Sequence, residues 1–150
     1  MWLTLRQRTD MPVSIDCFLD IARNSIENSG EQWTRNAISR AYYTMYHSAL
    51  QLTDGFIPTH DDRGQRLQGG VHARLAEYLC GSKAAADHKL DATSAKKIGL
   101  KLKTAHHRRV IADYSLNKQV NRLDALSTIK DAEDMQMLVT SMVKGKLSAS

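Results

Sequence analysis

Proline is scarce in this sequence: Pro12 and Pro58 are the only two, and both lie outside the segments with regular apolar spacing. That scarcity favours long helices over a sandwich built from many turns. Cysteine is equally rare. Cys17 and Cys80 lack C-x-x-C spacing and each sits among apolar residues, which reads as buried free thiols and a reducing cytosol rather than a disulfide framework. No apolar run approaches the roughly 18 residues that span a bilayer. The first ten residues, MWLTLRQRTD, contain no apolar core of a secretory signal. A cytoplasmic location with no membrane partner is the expectation. Internal repeats and low-complexity tracts are missing, as are the P-loop, G-x-G-x-x-G and G-x-S-x-G motifs. No cofactor is therefore expected.

What is present is ordinary globular composition. The chain has 150 residues, 42% hydrophobic and 25% charged, enough for one domain around one core. The net charge is +5 and the sequence pI about 9.3. The excess is spread out, with a modest concentration in KKIGLKLKTAHHRR, Lys96 to Arg109. It suits a nucleic-acid partner, and it suits a solvated helix face equally well.

Apolar spacing predicts an all-α fold, an antiparallel bundle of about five helices. The first runs from about Ser14, a good N-cap, to Asn28, with Ile15, Phe18, Leu19, Ala22 and Ile26 on one face. The second runs from about Glu31 to Thr53, with Ile38, Ala41, Tyr42, Met45, Ala49 and Leu52 inward. The polar stretch 56–70 has no clear period; loops of that length are commonly functional or disordered. The third helix covers about Val71 to Cys80 and the fourth about Asp91 to Tyr114. The fifth runs from about Val120 to Lys144, with Leu123, Leu126, Ile129, Ala132, Leu138 and Met142 as its stripe. Residues 1–12 read as an N-terminal extension, 13–144 as the helical domain and 145–150 as a loose tail.

The second helix holds the most informative side chains. Asn36, Arg40, Tyr43 and His47 are spaced four, three and four apart and share one polar stripe beside the apolar one. Arg40 and His47 stand two turns, about 10 Å, apart along the axis. They suit a phosphodiester laid across the helix with Tyr43 between them. RNA cleavage without a metal ion uses these groups: histidine takes the ribose 2′-OH proton or protonates the leaving oxygen, and arginine stabilises charge on phosphorus oxygens. Tyr43 would stack on a base or bond a phosphate. The spacing alone decides nothing. With eleven arginines and six histidines, chance supplies on the order of one such pair, and Arg66/His72 is a second match.

The surrounding residues are more specific. RNAISRAYYTMYHSAL resembles the second helix of small prokaryotic members of the HEPN superfamily, which reads like S-R-[AS]-Y-Y-A-x-[FY]-H-A-A. VHARLAEYL, beginning beside His72, is similar to that family's short helix. RRVIADY is similar to its R-x-x-x-D-Y signature through Arg109, Asp113 and Tyr114. The order matches, and the resemblance covers roughly Val13 to Lys144. It implies a HEPN-like bundle that dimerises with the Arg/His pairs of two protomers facing one cleft. It also implies a metal-independent RNase, a toxin or phage-defence effector whose antitoxin is often a nucleotidyltransferase. By position, Arg40 and His47 would be catalytic. If the chain cleaves RNA, Ser39, Tyr43, Asn36 and Arg109 are the residues expected to bind it. Some members are non-catalytic and bind a nucleotide or a partner protein, which is the alternative reading.

Three further features have competing explanations. Arg109 and Asp113, one turn apart, suit an ion pair at a helix end. His106 to Arg109 is either a nucleic-acid contact or exposed polar surface. His60, Asp61, Asp62 and His72 are metal-capable, but their loop spacing fits no ligand set, and no metal is expected. A third reading is a structural dimer with Tyr42, Tyr43 and Tyr46 at its interface.

Overall fold

In the computed structural model, residues 12–148 are described. The expected N-terminal extension, apart from Pro12, lies outside them. The described residues form six helices: α1 (Ile15–Ile26), α2 (Glu31–Leu52), α3 (Val71–Cys80), α4 (Ser82–His88), α5 (Ala92–Tyr114) and α6 (Arg122–Ser148). The fold is all-helical, with one helix more than the periodicity indicated. The addition, α4, has the sequence SKAAADH. Its inward residues are Ala84 and Ala85, too small to stand out as an apolar stripe. At the other end, α6 continues to Ser148, into the stretch expected to be a loose tail.

The central element is α2, packed against α1, α5 and α6; α3 lies on α5. The inward residues expected for α2 are all buried: Ile38, Ala41, Tyr42, Met45, Ala49 and Leu52. The stripe of α6 differs from expectation. Leu123 and Leu126 are 70% and 42% exposed, whereas Ala125, Thr128, Ile129, Ala132, Met135 and Val139 face the core. The helix is rotated from the expected register, with the small side chains of Ala125 and Ala132 on the buried face, where they allow closer helix approach than leucine would.

Two arginines tie helix ends together by satisfying carbonyls that the helical ladder leaves free. Arg35 on α2 donates to the carbonyls of Ile111, Ala112 and Ser115 at the end of α5, and to Lys118 just beyond. Arg122 donates to the Ile26 carbonyl at the end of α1. At its start α5 is capped by Asp91, whose carboxylate accepts from the Ser94 N–H at 2.9 Å. That bond holds the Asp91 carboxyl below its ordinary range.

The stretch 56–70 is an ordered turn. Asp61 accepts from the backbone N–H groups of Arg63 and Gln65, both at 2.9 Å, and His60 and Arg66 pair across it. Arg74 on α3 fastens it by donating to the Pro58 and Gly69 carbonyls. The metal-capable side chains have other partners: His60 meets Thr59, Asp62 meets Lys83, and His72 meets Tyr42. Among the described residues, no three His, Cys, Asp or Glu side chains are grouped to hold a metal ion. Cys17 and Cys80 are free thiols, half-buried rather than fully buried. No helix among these residues is long and apolar enough to cross a membrane.

Candidate functional site

The polar stripe of α2 meets α3 and α5 in a cluster centred on the ring of Tyr43. The Arg40 guanidinium lies 4.9 Å from the ring centroid and that of Arg109 lies 5.8 Å away. The His47 and His72 rings stand 6.4 and 6.1 Å from it. Arg40 and His47 thus flank Tyr43 from the same helix, as the four-and-three spacing requires. Arg109 and His72 arrive from α5 and α3.

The two arginines are linked by a chain of hydrogen bonds. Arg40 Nη2 donates to Ser39 Oγ at 3.2 Å, and the Ser39 hydroxyl donates to Asp113 Oδ2, also at 3.2 Å. Arg109 Nη1 donates to the same carboxylate oxygen at 3.4 Å. Arg109 is 93% buried by its 7% residual exposure. Its charge is compensated by Asp113 and by the faces of Tyr42, Tyr43 and Tyr114 at 5.5 to 5.9 Å. Both Arg40 and Arg109 keep a buried Nε with no hydrogen-bond partner among the described residues. A buried N–H without an acceptor is costly, so these two donors leave the cluster with unsatisfied polar groups beside Tyr43.

His47 is half-buried. It stacks on Phe18 of α1, with centroids 5.2 Å apart and planes 18° from parallel, and meets Tyr46 edge-on at 5.4 Å. Burial lowers its pKa, which leaves the imidazole neutral near pH 7 and able to accept a proton. His106 stacks on His72 at 5.3 Å, and its pKa is lowered by burial and then by Arg109 and His107. In the sequence His106 stands out only as part of a basic run, and His72 only as a metal-capable side chain, as half of the Arg66/His72 match and as the histidine beside the VHARLAEYL resemblance; none of these places either ring at this cluster. Neither residue shares a helix with Arg40, so helical spacing carried no signal for them.

The remaining expected residues separate. Ser39 and Arg109 belong to the hydrogen-bond chain. Asn36 does not face the cluster's donors: its amide donates to Ser25 Oγ at 2.8 Å and ties α2 to α1. The run His106 to Arg109 is divided by helix geometry. Arg108 turns to Asp131 and Thr128 on α6, and His107 is exposed. Tyr42 is fully buried and cannot form an intermolecular interface, which removes it from the structural-dimer reading. A cavity of about 670 Å³ lies elsewhere, lined by residues such as Ser14, Gln51, Gln136 and Lys144, with no histidine or arginine in its lining.

No family model matches the chain, no curated protein is similar to it, and no solved structure matches it.

Proposed function

We propose that this chain is a HEPN-type domain that binds RNA and cleaves it without a metal ion. One observation carries the reading. Two arginines with unpartnered Nε groups and two histidines surround one tyrosine ring, all within 6.4 Å of its centroid. Such a set suits a phosphodiester, with guanidinium donors for its oxygens, a stacking surface for a base and a neutral imidazole for proton transfer.

In this reading His47 takes the proton from a ribose 2′-OH. The 2′ oxygen then forms a bond to phosphorus while the bond to the 5′ oxygen breaks, leaving a 2′,3′-cyclic phosphate. The departing oxygen takes its proton from an imidazolium supplied by a second copy of the chain in a homodimer. Arg40 and Arg109 stabilise the charge that builds on the non-bridging oxygens. As a toxin or phage-defence effector, the domain would be held inactive by an antitoxin, with a nucleotidyltransferase as the class to look for first.

Incubating RNA with the protein in EDTA tests the chemistry. Wild type is expected to cleave, and His47→Ala and Arg40→Ala to lose activity by a factor of about a hundred or more. Equal activity in all three proteins would end the assignment.

One feature favours a binding module instead. His47 makes no hydrogen bond among the described residues, whereas a catalytic base is commonly oriented by a third group. Under that reading the same cluster holds a nucleotide or an RNA strand and leaves it intact. Calorimetry with RNA, followed by recovery of the uncut strand, separates the two.

A further inference from the structure

We propose that His72 is a further substrate-binding residue: Tyr42 locks its imidazole in the tautomer that carries the proton on Nε2, and this N–H donates to a non-bridging phosphate oxygen. The inference rests on the RNA-binding reading of the site.

The argument begins with the buried phenol. Tyr42 is fully buried, and its hydroxyl meets His72 Nδ1 at 2.7 Å. Burial drives its ionisation well above the ordinary range, so the phenol keeps its hydrogen. That hydrogen has one acceptor among the described residues, His72 Nδ1. If Nδ1 carried a proton instead, the phenol hydrogen would be a buried donor with nothing to bond. The neutral ring therefore holds its single proton on Nε2.

The surroundings keep the ring neutral and fixed. From α2 it faces Tyr42, Tyr43, Tyr46 and His47, and from α5 it faces His106 and Arg109. Burial, then the charge of Arg109, then His106 and His47 push its pKa down to about 4. Tyr46 packs on the ring at 4.5 Å and His106 stacks at 5.3 Å, which restricts rotation of its plane. Nε2 makes no hydrogen bond to a described residue, and His72 is only half-buried. A neutral N–H near the Arg109 guanidinium offers a phosphate one more donor without adding another positive charge. Tyr42, acting through His72, is then a positioning residue.

The test uses the full chain with ¹⁵N-labelled histidine, long-range ¹H–¹⁵N correlation spectra, and a short 2′-O-methyl RNA that cannot cyclise. Wild-type His72 is expected to be neutral and protonated on Nε2 at pH 7, and its Nε2 resonance to move when the oligonucleotide is added. Tyr42→Phe is expected to give a mixture of tautomers. His72→Ala is expected to weaken oligonucleotide binding about tenfold, roughly 1.4 kcal/mol, and His72→Gln, which keeps an N–H near the Nε2 position, to restore most of it. An Nδ1–H tautomer or an imidazolium at pH 7 would overturn the proposal. So would an Nε2 resonance that stays still while those of His47 shift. If no histidine responds to the RNA, the RNA-binding reading falls and takes this one with it. If the RNA binds at His72 but its unmodified counterpart is never cut, catalysis falls and the role of His72 stands.

Discussion

Arg109 shows how much one side chain is asked to do here. It is nearly buried, it pairs with Asp113 at 3.4 Å, and its guanidinium lies within 6 Å of three tyrosine rings. Only arginine combines a permanent charge with a planar fork that bonds and stacks at once. Lysine at this position would keep the charge and lose the unpartnered Nε–H. Arg109→Lys is therefore expected to fold and to bind a single-stranded RNA oligonucleotide about tenfold more weakly, the loss of roughly one charge-assisted hydrogen bond. Fluorescence anisotropy measures this directly, and unchanged affinity would mean that Nε does not face the ligand. The ion pair itself was readable from the one-turn spacing of Arg109 and Asp113. The contact of Asp113 with Ser39 was not, because those residues are far apart in sequence and meet only where α5 crosses α2.

The elements that carry the site are held close by small residues. A Cβ added at Gly99 on α5 would come within 2.7 Å of Cys80 Sγ and 2.9 Å of the Ala76 carbonyl and the Cys80 nitrogen on α3. Two of those three atoms are backbone, which cannot move aside cheaply. Overpacking of this kind costs about 1–3 kcal/mol, against about 1 kcal/mol that alanine gains over glycine in a helix. Gly99→Ala is expected to lower the urea midpoint and to shift α3, with His72, relative to α2. Gly145 on α6 is the contrast, since a Cβ there meets nothing within 4 Å. Gly145→Ala is expected to raise stability by about 0.5–1 kcal/mol. If the two substitutions behave alike, the close packing of α3 on α5 is not what the glycine serves. The sequence marked the ends of α3 and α5 well, yet it contained no sign that Gly99 is a contact rather than a weak point.

At the scale of the whole molecule, half-buried histidines make the fold sensitive to acid. His47, His72, His88 and His106 all have pKa values lowered from 6.5, with burial the largest cause in each case. A group whose folded pKa is depressed binds more protons when the chain unfolds, so protonation favours unfolding. The associated stability is complete above the unfolded pKa of 6.5 and is lost as the pH falls toward about 4, the folded value of His72. Urea midpoints measured across that range are expected to fall steadily on acidification. A flat profile would show that these rings reach solvent when protonated. Asp91 and Asp134, whose pKa values are lowered by hydrogen bonding, add their own loss at lower pH still.

The sequence by itself determined the helical class, the buried face of α2 and the placing of Arg40, Tyr43 and His47 along one stripe. Those features depend on residues three and four apart, and helix geometry converts that spacing into a shared face without help from the rest of the chain. Tertiary structure decided what joins the stripe. It brought His72 and Arg109 to Tyr43, stacked His106 on His72, sent Asn36 to Ser25, and buried Ala125 and Ala132 of α6 while leaving Leu123 and Leu126 exposed. Each of these depends on how helices rotate and approach one another, which packing settles and local spacing does not encode. The stripe on α2 thus supplies half of a site, and the crossing of α3 and α5 over it supplies the other half.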